Sequence, residues 1–398
     1  MIVPFYKPSI TDAEVKEVVN TLQSGWLTTG PKTKLFEEEF SKYIGVEHAV
    51  AVNSCTAALH LGLDAVGMKQ SQSVVVPTMT FAATAEVVRY FNGKPLLVDC
   101  REEDFNIDVG DAERVILAAR GRGESIAAII PVHYGGQMAD VAAVGRLGTQ
   151  YGLKVIEDAA HCCPAFFRAD ENAAWEPVGA RAEVSCYSFY ANKTITTGGE
   201  GGMACTNNAD VADRMRVMSL HGISKDAWKR FTGEGSWYYE IIAPGFKYNL
   251  TDIASAMGLV QLRRADDLHR KRTGLAAGYN ERFASIEELI TPRTQPNRIN
   301  SWHLYVLRLR LDRLAINRAD FISELKARGI TTSVHWTPLH MHPYYRETYG
   351  YAPEDFPVAA RLSREIVTLP LYPDMTEAEQ DYVCNQVIDL VAKNLRKG

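Results

Sequence analysis

The sequence predicts a doubly wound α/β fold, with a mostly parallel sheet between layers of helices, followed by a smaller α+β unit. Two observations lead to this prediction. From about residue 48 to residue 206, short apolar runs alternate with segments of helical periodicity. The chain has 398 residues, 46% of them hydrophobic and 23% charged, which suits a soluble enzyme with one large domain and a smaller companion.

Six short apolar runs, mostly rich in β-branched residues and bounded by turn residues, are predicted to be strands. They are residues 48–52, 73–76, 96–99, 126–132, 154–158 and 184–189. Between them, Ala, Leu and Val recur at helical spacing in residues 57–66, 82–91 and 141–151. Because parallel strands need crossover connections, we expect these helices to cover the faces of the sheet.

The two ends of the chain are predicted to differ from this central part. Residues 1–40, which include the capping-box candidate Thr11–Glu14, are expected to form an arm packed on the rest. Residues 254–283 are predicted to form one long helix, followed by a strand over 302–311 and a helix over 317–328 closed by Gly329. We therefore expect residues 1–250 to hold the arm and the large domain. Residues 251–398 would hold a linking helix and a small domain.

Composition excludes several classes of protein. The net charge is -5, with 43 Lys+Arg against 48 Asp+Glu, so there is no basic excess for binding nucleic acid. No apolar stretch approaches 18 residues and no signal peptide is visible, so we expect no membrane span. The seven cysteines contain no C-x-x-C pair, which favours a reduced, cytoplasmic protein without a zinc site.

Ligands of open α/β sheets bind beyond the carboxyl ends of the strands, and polar residues follow several predicted strands. After the first, Ser54, Cys55 and Thr56 would place hydroxyls and free N–H groups at a helix N-terminus, where phosphate binds. Taken alone, this segment is explained more simply as an ordinary Ser/Thr helix cap. Asp158, at the end of another strand, could pair with a cationic ring nitrogen. An Asp that caps the loop is an equally good explanation for an aspartic acid at this position.

Lys193 lies in a turn rich in Thr and Gly that follows the strand at 184–189. Burial in such a turn would lower the pKa of the amine and make it a Schiff-base nucleophile, although most loop lysines are simply exposed. The nearby glycines lack the spacing of a phosphate-binding P-loop, and no G-x-G-x-x-G follows the first strand. Residues 245–252 are polar and precede the long helix, for which Thr251 or Asp252 would be the cap.

Together, six segments match the pattern of one family in the same order along nearly the whole chain. They are residues 24–31, 76–85, 130–137, 157–161, 188–193 and 247–252. On these segments the chain resembles the DegT-type nucleotide-sugar aminotransferases, which are pyridoxal-phosphate (PLP) enzymes of fold type I. The intervening residues 166–181 look like an insert, and we expect them to form a surface loop.

The resemblance implies a role for each matching residue. Lys193 would form the Schiff base with PLP and move a proton, and Asp158 would pair with the pyridinium nitrogen. His161 would lie near the ring hydroxyl, and Phe81 would stack on the ring. The phosphate would be held by Cys55 (through its backbone), Thr56, Ser188 and Asn249 of the partner subunit. Thr28, His335 and Trp336 are candidate contacts to the substrate.

The resemblance further implies an aminotransferase that acts as a homodimer with shared active sites. It would move an amino group from an amino acid, L-glutamate being expected, to a nucleotide-linked 4-keto sugar by ping-pong kinetics. Amination of a 3-keto sugar is the alternative for the substrate. A PLP-binding regulatory protein without turnover and a lyase or desulfurase are the alternatives for the activity. Lys193 argues against the sugar dehydratases of the family, which have histidine there. We expect no metal at His335, His340 and His342.

Overall fold

The computed structural model describes residues 1–224 and 239–396. Its strands, in chain order, are β1 His48–Val52, β2 Ser73–Pro77, β3 Lys94–Val98, β4 Ile126–Ile129, β5 Lys154–Asp158, β6 Phe166–Phe167, β7 Glu176–Pro177, β8 Val184–Ser188, β9 Gly202–Thr206, β10 Leu289–Ile290, β11 Arg298–Ile299, β12 Tyr305–Leu309 and β13 Ile366–Leu369. Its α-helices are α1 Asp12–Ser24, α2 Pro31–Ile44, α3 Cys55–Ala65, α4 Ala82–Arg89, α5 Val109–Gly121, α6 Val141–Tyr151, α7 Ala209–Ser219, α8 Asp252–Arg263, α9 Ala265–Phe283, α10 Arg318–Ala327, α11 Pro343–Tyr349, α12 Pro357–Glu365 and α13 Glu377–Lys393.

A seven-stranded sheet in the order β1-β9-β8-β5-β4-β2-β3 forms the centre of the α/β part. Strands β8, β5, β4, β2 and β3 pair in parallel, and β9 is antiparallel to β1 and to β8, so β1 runs in the same direction as the parallel strands. The mainly parallel α/β fold is therefore confirmed. Strand β9 was not predicted, because its apolar and polar residues do not alternate and Thr206 is its only β-branched residue.

The predicted crossover helices are present as α3, α4 and α6, and the structure adds α5 and α7. The prediction of one long helix over 254–283 was wrong. The helix divides at Arg264, whose backbone has φ -100° and ψ -1°. The Arg264 guanidinium donates a hydrogen bond to the Ser9 carbonyl (3.1 Å) and forms an ion pair with buried Glu14. The break therefore lies where the N-terminal arm is anchored.

Residues 166–181 are not simply a surface loop, which corrects that expectation. They contain β6 and β7, which form a three-stranded sheet with β11 in the order β11-β6-β7. Phe167 is buried there, with the Arg298 guanidinium 4.2 Å from the centre of its ring. A contact with a distant strand is what orders this segment, and such a contact leaves no local sequence signal.

The last part of the chain forms a separate three-stranded sheet, in the order β10-β12-β13, and has its own apolar core. Helix α10 begins at the Asn317 cap, and Gly329 follows its end with φ +81°, as the sequence predicts. The proposed boundary near residue 250 remains a prediction. Within the described residues, no helix is both long and apolar enough to cross a lipid bilayer.

Candidate active site

The carboxyl ends of β1, β5 and β8 lie at the same edge of the sheet, because these strands run in one direction. Gly202 of β9 pairs with Val52 on one side and with Ser188 on the other, so β1 and β8 end at the same position along the sheet. A cavity of about 430 Å³ opens at this edge. Nine residues predicted for the site line it: Cys55, Thr56, Phe81, Asp158, His161, Ser188, Lys193, His335 and Trp336.

The N-terminus of α3 forms one wall of the cavity. Ser54 caps the helix, and its hydroxyl accepts a hydrogen bond from the Ala57 N–H at 3.1 Å. The N–H groups of Cys55 and Thr56 are the first two of the helix and have no acceptor within it. Since free N–H groups and the helix dipole favour an anion, this wall suits a phosphate group.

Gly202 allows β9 to pass close to this helix start. A Cβ at this position would lie 2.5 Å from the Ser54 carbonyl carbon and 2.7 Å from the Cys55 nitrogen. No side chain fits at such distances without moving the backbone. The absence of a side chain at Gly202 thus brings the start of α3 and Ser188 into the same cavity.

Asp158 lies at the end of β5 with its side chain nearly buried (5% exposed). The Thr84 hydroxyl is 2.7 Å from Oδ2, and the Ala160 N–H donates to Oδ1 at 3.1 Å. Burial raises the pKa of Asp158, and these hydrogen bonds together with the charge of Lys193 oppose the increase. The arrangement provides a carboxylate that can pair with a cation in the cavity.

Lys193 follows β8 in a turn in which its N–H donates to the Tyr190 carbonyl at 2.9 Å. Burial lowers the pKa of Lys193 to about 8, and the neighbouring Cys55 and Asp158 partly offset this effect. An amine with such a pKa is unprotonated in about a tenth of the molecules at pH 7, a far larger fraction than for an exposed lysine. It is therefore suited to nucleophilic attack on a carbonyl carbon.

His161 is fixed by a hydrogen bond and by two ring contacts. The Gly135 N–H donates to His161 Nδ1 at 3.1 Å, so the proton of the neutral ring lies on Nε2. The ring stacks on Trp336 with centroids 5.1 Å apart, and His303 lies 4.4 Å away on a tilted plane. Burial lowers the pKa of His161 well below its usual value, so the ring is neutral and presents one N–H donor.

His335 and Trp336 form the wall contributed by the C-terminal part of the chain. His335 Nδ1 is 2.9 Å from the Thr368 hydroxyl, and its ring stacks on Phe5 at 5.6 Å. Burial lowers the pKa of His335 to about 3, which keeps this side chain neutral as well. Phe81 lies at the mouth of the cavity, 61% exposed, with its ring 6.5 Å from that of Trp336.

Two predicted residues do not line this cavity. The Asn249 side chain donates to the Thr29 hydroxyl at 2.7 Å and faces a separate cavity of about 710 Å³. Thr28 is exposed on the neighbouring loop, and its carbonyl accepts from the Asp252 N–H at 3.2 Å. Within one chain, therefore, Asn249 and Thr28 lie near each other and apart from Lys193.

Three residues at the site were not singled out from the sequence. They are Gly202, Thr84 and His303. Nδ1 of His303 is buried without a hydrogen-bond partner among the described residues. The spacing of Thr80 and Thr84, one helical turn apart, was the available signal for Thr84. The other two depend on contacts between segments that are distant in sequence.

The chemistry of these residues fits PLP. A phosphate suits the N–H groups at the start of α3, a pyridinium nitrogen suits the Asp158 carboxylate, and an aldehyde suits an amine of lowered pKa at Lys193. All three lie on the wall of one cavity.

Comparisons with known proteins agree with this chemistry. The family model of the DegT/DnrJ/EryC1/StrS aminotransferases matches residues 8–388. The spore coat polysaccharide biosynthesis protein SpsC of Bacillus subtilis is 40% identical over 389 residues, covering 98% of this chain and 97% of that protein.

Solved structures show the same fold. Spr1654 of Streptococcus pneumoniae, described as a sugar aminotransferase, has a TM-score of 0.88 in its pyridoxamine-phosphate form. It is 30% identical, covering 99% of this chain and 98% of that one, and was also solved in its PLP form. PseC of Helicobacter pylori, an aminotransferase involved in the biosynthesis of pseudoaminic acid, has a TM-score of 0.87. It is 26% identical and covers 98% of this chain and 99% of that one.

Proposed function

The chain belongs to the DegT/DnrJ/EryC1/StrS family of PLP-dependent sugar aminotransferases, and from this premise we propose that it aminates a nucleotide-linked 4-keto sugar. L-Glutamate is the proposed amino donor, and the product is a 4-amino sugar nucleotide. One observation carries the proposal. Lys193, Asp158 and the N-terminus of α3 line a single cavity whose remaining wall contains His335 and Trp336.

We assign the roles of the chain's residues as follows. Lys193 would hold the cofactor covalently, and its amine, with a lowered pKa, would move a proton at the reacting carbon. Asp158 keeps the ring nitrogen protonated, since an opposite charge favours the charged form. When bound, PLP supplies an electron sink and carries the amino group between the two substrates. The neutral His161 would donate a hydrogen bond from Nε2 to the oxygen of the ring hydroxyl.

Other residues that line the cavity are assigned to the cofactor's phosphate and to the face of its ring. The N–H groups of Cys55 and Thr56 and the Ser188 hydroxyl hold the phosphate. Phe81, exposed at the mouth of the cavity, stacks on the ring.

The sugar end of the site rests on two segments. Residues 246–252 and 333–340 resemble those of family members that aminate C4, and the second segment brings His335 and Trp336 to the cavity. Because burial keeps His335 neutral, it acts as a hydrogen-bonding partner for sugar hydroxyls and not as a cation.

We also propose a homodimer in which Asn249 and Thr28 serve the active site of the other subunit. Both residues lie outside the cavity of their own chain, and Asn249 lies two residues before Thr251, the cap of helix α8. A residue that faces away from its own site is free to complete a neighbouring one.

The proposal is tested by product analysis. Purified protein with PLP and ¹⁵N-glutamate is incubated with UDP-, GDP- and dTDP-linked 4-keto-6-deoxy sugars, and with a 3-keto sugar nucleotide in parallel. We expect ¹⁵N in a sugar nucleotide, located at C4 by NMR, and no transfer by the Lys193→Ala variant. Label at C3 would replace the C4 assignment by the alternative substrate. Absence of label from every sugar, with PLP bound, would contradict the proposed reaction.

A further inference from the structure

Two buried threonine hydroxyls lie in a row behind Asp158. Thr84 Oγ1 is 2.7 Å from Asp158 Oδ2, and Thr80 Oγ1 is 2.7 Å from Thr84 Oγ1. Thr80 is 1% exposed and Thr84 is fully buried. Thr84 lies in the first turn of α4, and Thr80 lies two residues before the start of this helix.

The direction of these hydrogen bonds follows from the charge of the carboxylate. An ionised carboxylate only accepts hydrogen bonds, so Thr84 is the donor to Asp158. A hydroxyl has one proton, and the Thr84 oxygen must therefore accept its second hydrogen bond from Thr80. With Asp158 ionised, the hydroxyls of Thr80 and Thr84 both donate in the direction of the carboxylate.

The ionised form of Asp158 needs such support. Burial disfavours the charge and raises the pKa of the carboxyl, and the Thr84 hydroxyl is the strongest of the groups that oppose this rise. The Ala160 N–H and the charges of Lys193 and His133 act in the same direction. A protonated Asp158 would no longer provide a negative charge for a cationic partner.

We propose that Thr84, oriented by Thr80, is a positioning residue for the reaction, which holds Asp158 ionised and turned toward the cavity. The inference rests on the role proposed above for Asp158. Thr84 acts only through this carboxylate, so its contribution should depend on whether the ligand in the cavity carries a ring nitrogen.

The experiment compares two ligands and three variants of the full-length protein. The dissociation constant of PLP from the apoprotein is measured by titration, alongside that of the carbocyclic analogue in which C–H replaces the ring nitrogen. Thr84→Val removes the hydroxyl at nearly the same shape, Thr84→Ser keeps it, and Thr80→Val removes only the second hydroxyl of the row.

We expect Thr84→Val to weaken PLP binding about tenfold, since a hydrogen bond to a charged group contributes more than a neutral one. Binding of the analogue should change less than about twofold, because it has no N–H for Asp158 to bind. Thr84→Ser should restore PLP binding to within about threefold, and Thr80→Val should lower it by about threefold. Equal weakening of both ligands by Thr84→Val, or no weakening of either, would overturn the inference.

Asp158→Asn in the same titrations separates this inference from the proposed function. If Asp158→Asn weakens neither ligand, the role proposed for Asp158 fails. If it weakens PLP alone while Thr84→Val has no effect, that role stands and the inference about Thr84 fails. In the Asp158→Asn background, Thr84→Val should add little further loss, because the two side chains act through one interaction.

Discussion

At the scale of single residues, the site depends on two ionisable groups with opposite requirements. Burial favours the neutral form of both Lys193 and Asp158, and lowers the pKa of the lysine while raising that of the aspartic acid. The lysine benefits, because a nucleophile must be unprotonated. In its proposed role, the aspartic acid must remain charged to hold a ring nitrogen. Its hydrogen bonds favour the charged form and so oppose the effect of burial.

The pKa of Lys193 leads to a prediction about pH. The rate at which the apoprotein attaches PLP covalently should follow the unprotonated fraction of Lys193. Because the pKa is lowered to about 8, the rate should rise with pH and approach a plateau above about 8, far below the range of an exposed lysine. Borohydride reduction followed by mass spectrometry measures the attachment. Attachment at another lysine, or undiminished attachment in Lys193→Ala, would contradict the assignment.

Asp158→Asn removes the charge at nearly constant shape. We expect kcat to fall by at least about a hundredfold, equivalent to about 2.7 kcal/mol of barrier, because the ring loses its protonated nitrogen. Asp312→Asn, at an exposed position, is the matched control and should leave kcat unchanged. Should the turnover of Asp158→Asn remain within about threefold, below about 0.7 kcal/mol, Asp158 would be only a loop cap.

At the scale of elements, the close approach of β9 to the start of α3 shapes the phosphate end of the site. A Cβ at Gly202 would lie within 2.7 Å of backbone atoms of Ser54 and Cys55, so only glycine fits there without a shift of the backbone. The fully buried β9 also separates β1 from β8, so that Ser54–Thr56 and Ser188 reach the same cavity from two strands. The geometry of the anion site therefore depends on a strand that contributes no side chain to it.

Gly202→Ala should both destabilise the protein and weaken PLP binding. A Cβ within 2.7 Å of the backbone at Ser54 and Cys55 forces the two elements apart, and overpacking of this kind costs about 1–3 kcal/mol. Gly145→Ala is the control, because a Cβ there meets nothing within 4 Å and alanine favours a helix. Urea unfolding and PLP titration measure the two effects. A Gly202→Ala protein as stable as its parent, with the same PLP affinity, would show that the backbones can separate at no cost.

At the scale of the whole molecule, the site of one chain lacks two of its predicted residues. Asn249 lies at a separate cavity with Thr29 and the start of α2, and Thr28 is exposed on the adjoining loop. The proposed homodimer places them at the other subunit's phosphate and substrate. Assembly and activity should then be linked.

A mixed dimer tests this arrangement. A Lys193→Ala chain is co-expressed with an Asn249→Asp chain, in which a carboxylate would repel the phosphate. Each homodimer should be poorly active. In the mixed dimer the Asn249→Asp subunit keeps its Lys193 and receives an intact Asn249 from its neighbour, so one site is complete and activity should return. A mixed dimer no more active than the homodimers would place Asn249 in its own chain's site or away from the phosphate.

The sequence determined the fold class, six strands of the central sheet and the family pattern from which the site residues are proposed. Strand and crossover-helix patterns are local, and the ordered segments, among them residues 157–161, 188–193 and 247–252, carry the family pattern independently of their contacts. The sequence also determined local caps, such as Thr11 and Glu14 at α1, because both partners lie within one helical turn.

The tertiary structure alone decided features that join distant segments. It revealed β9, which lacks both alternation and a run of β-branched residues, and the break at Arg264, whose side chain contacts Ser9 and Glu14. It placed Thr84 against Asp158, 74 residues away in the sequence, and showed that burial sets the pKa of Lys193. Burial, ion pairing and close backbone approach arise only when the chain is folded, so no local pattern records them.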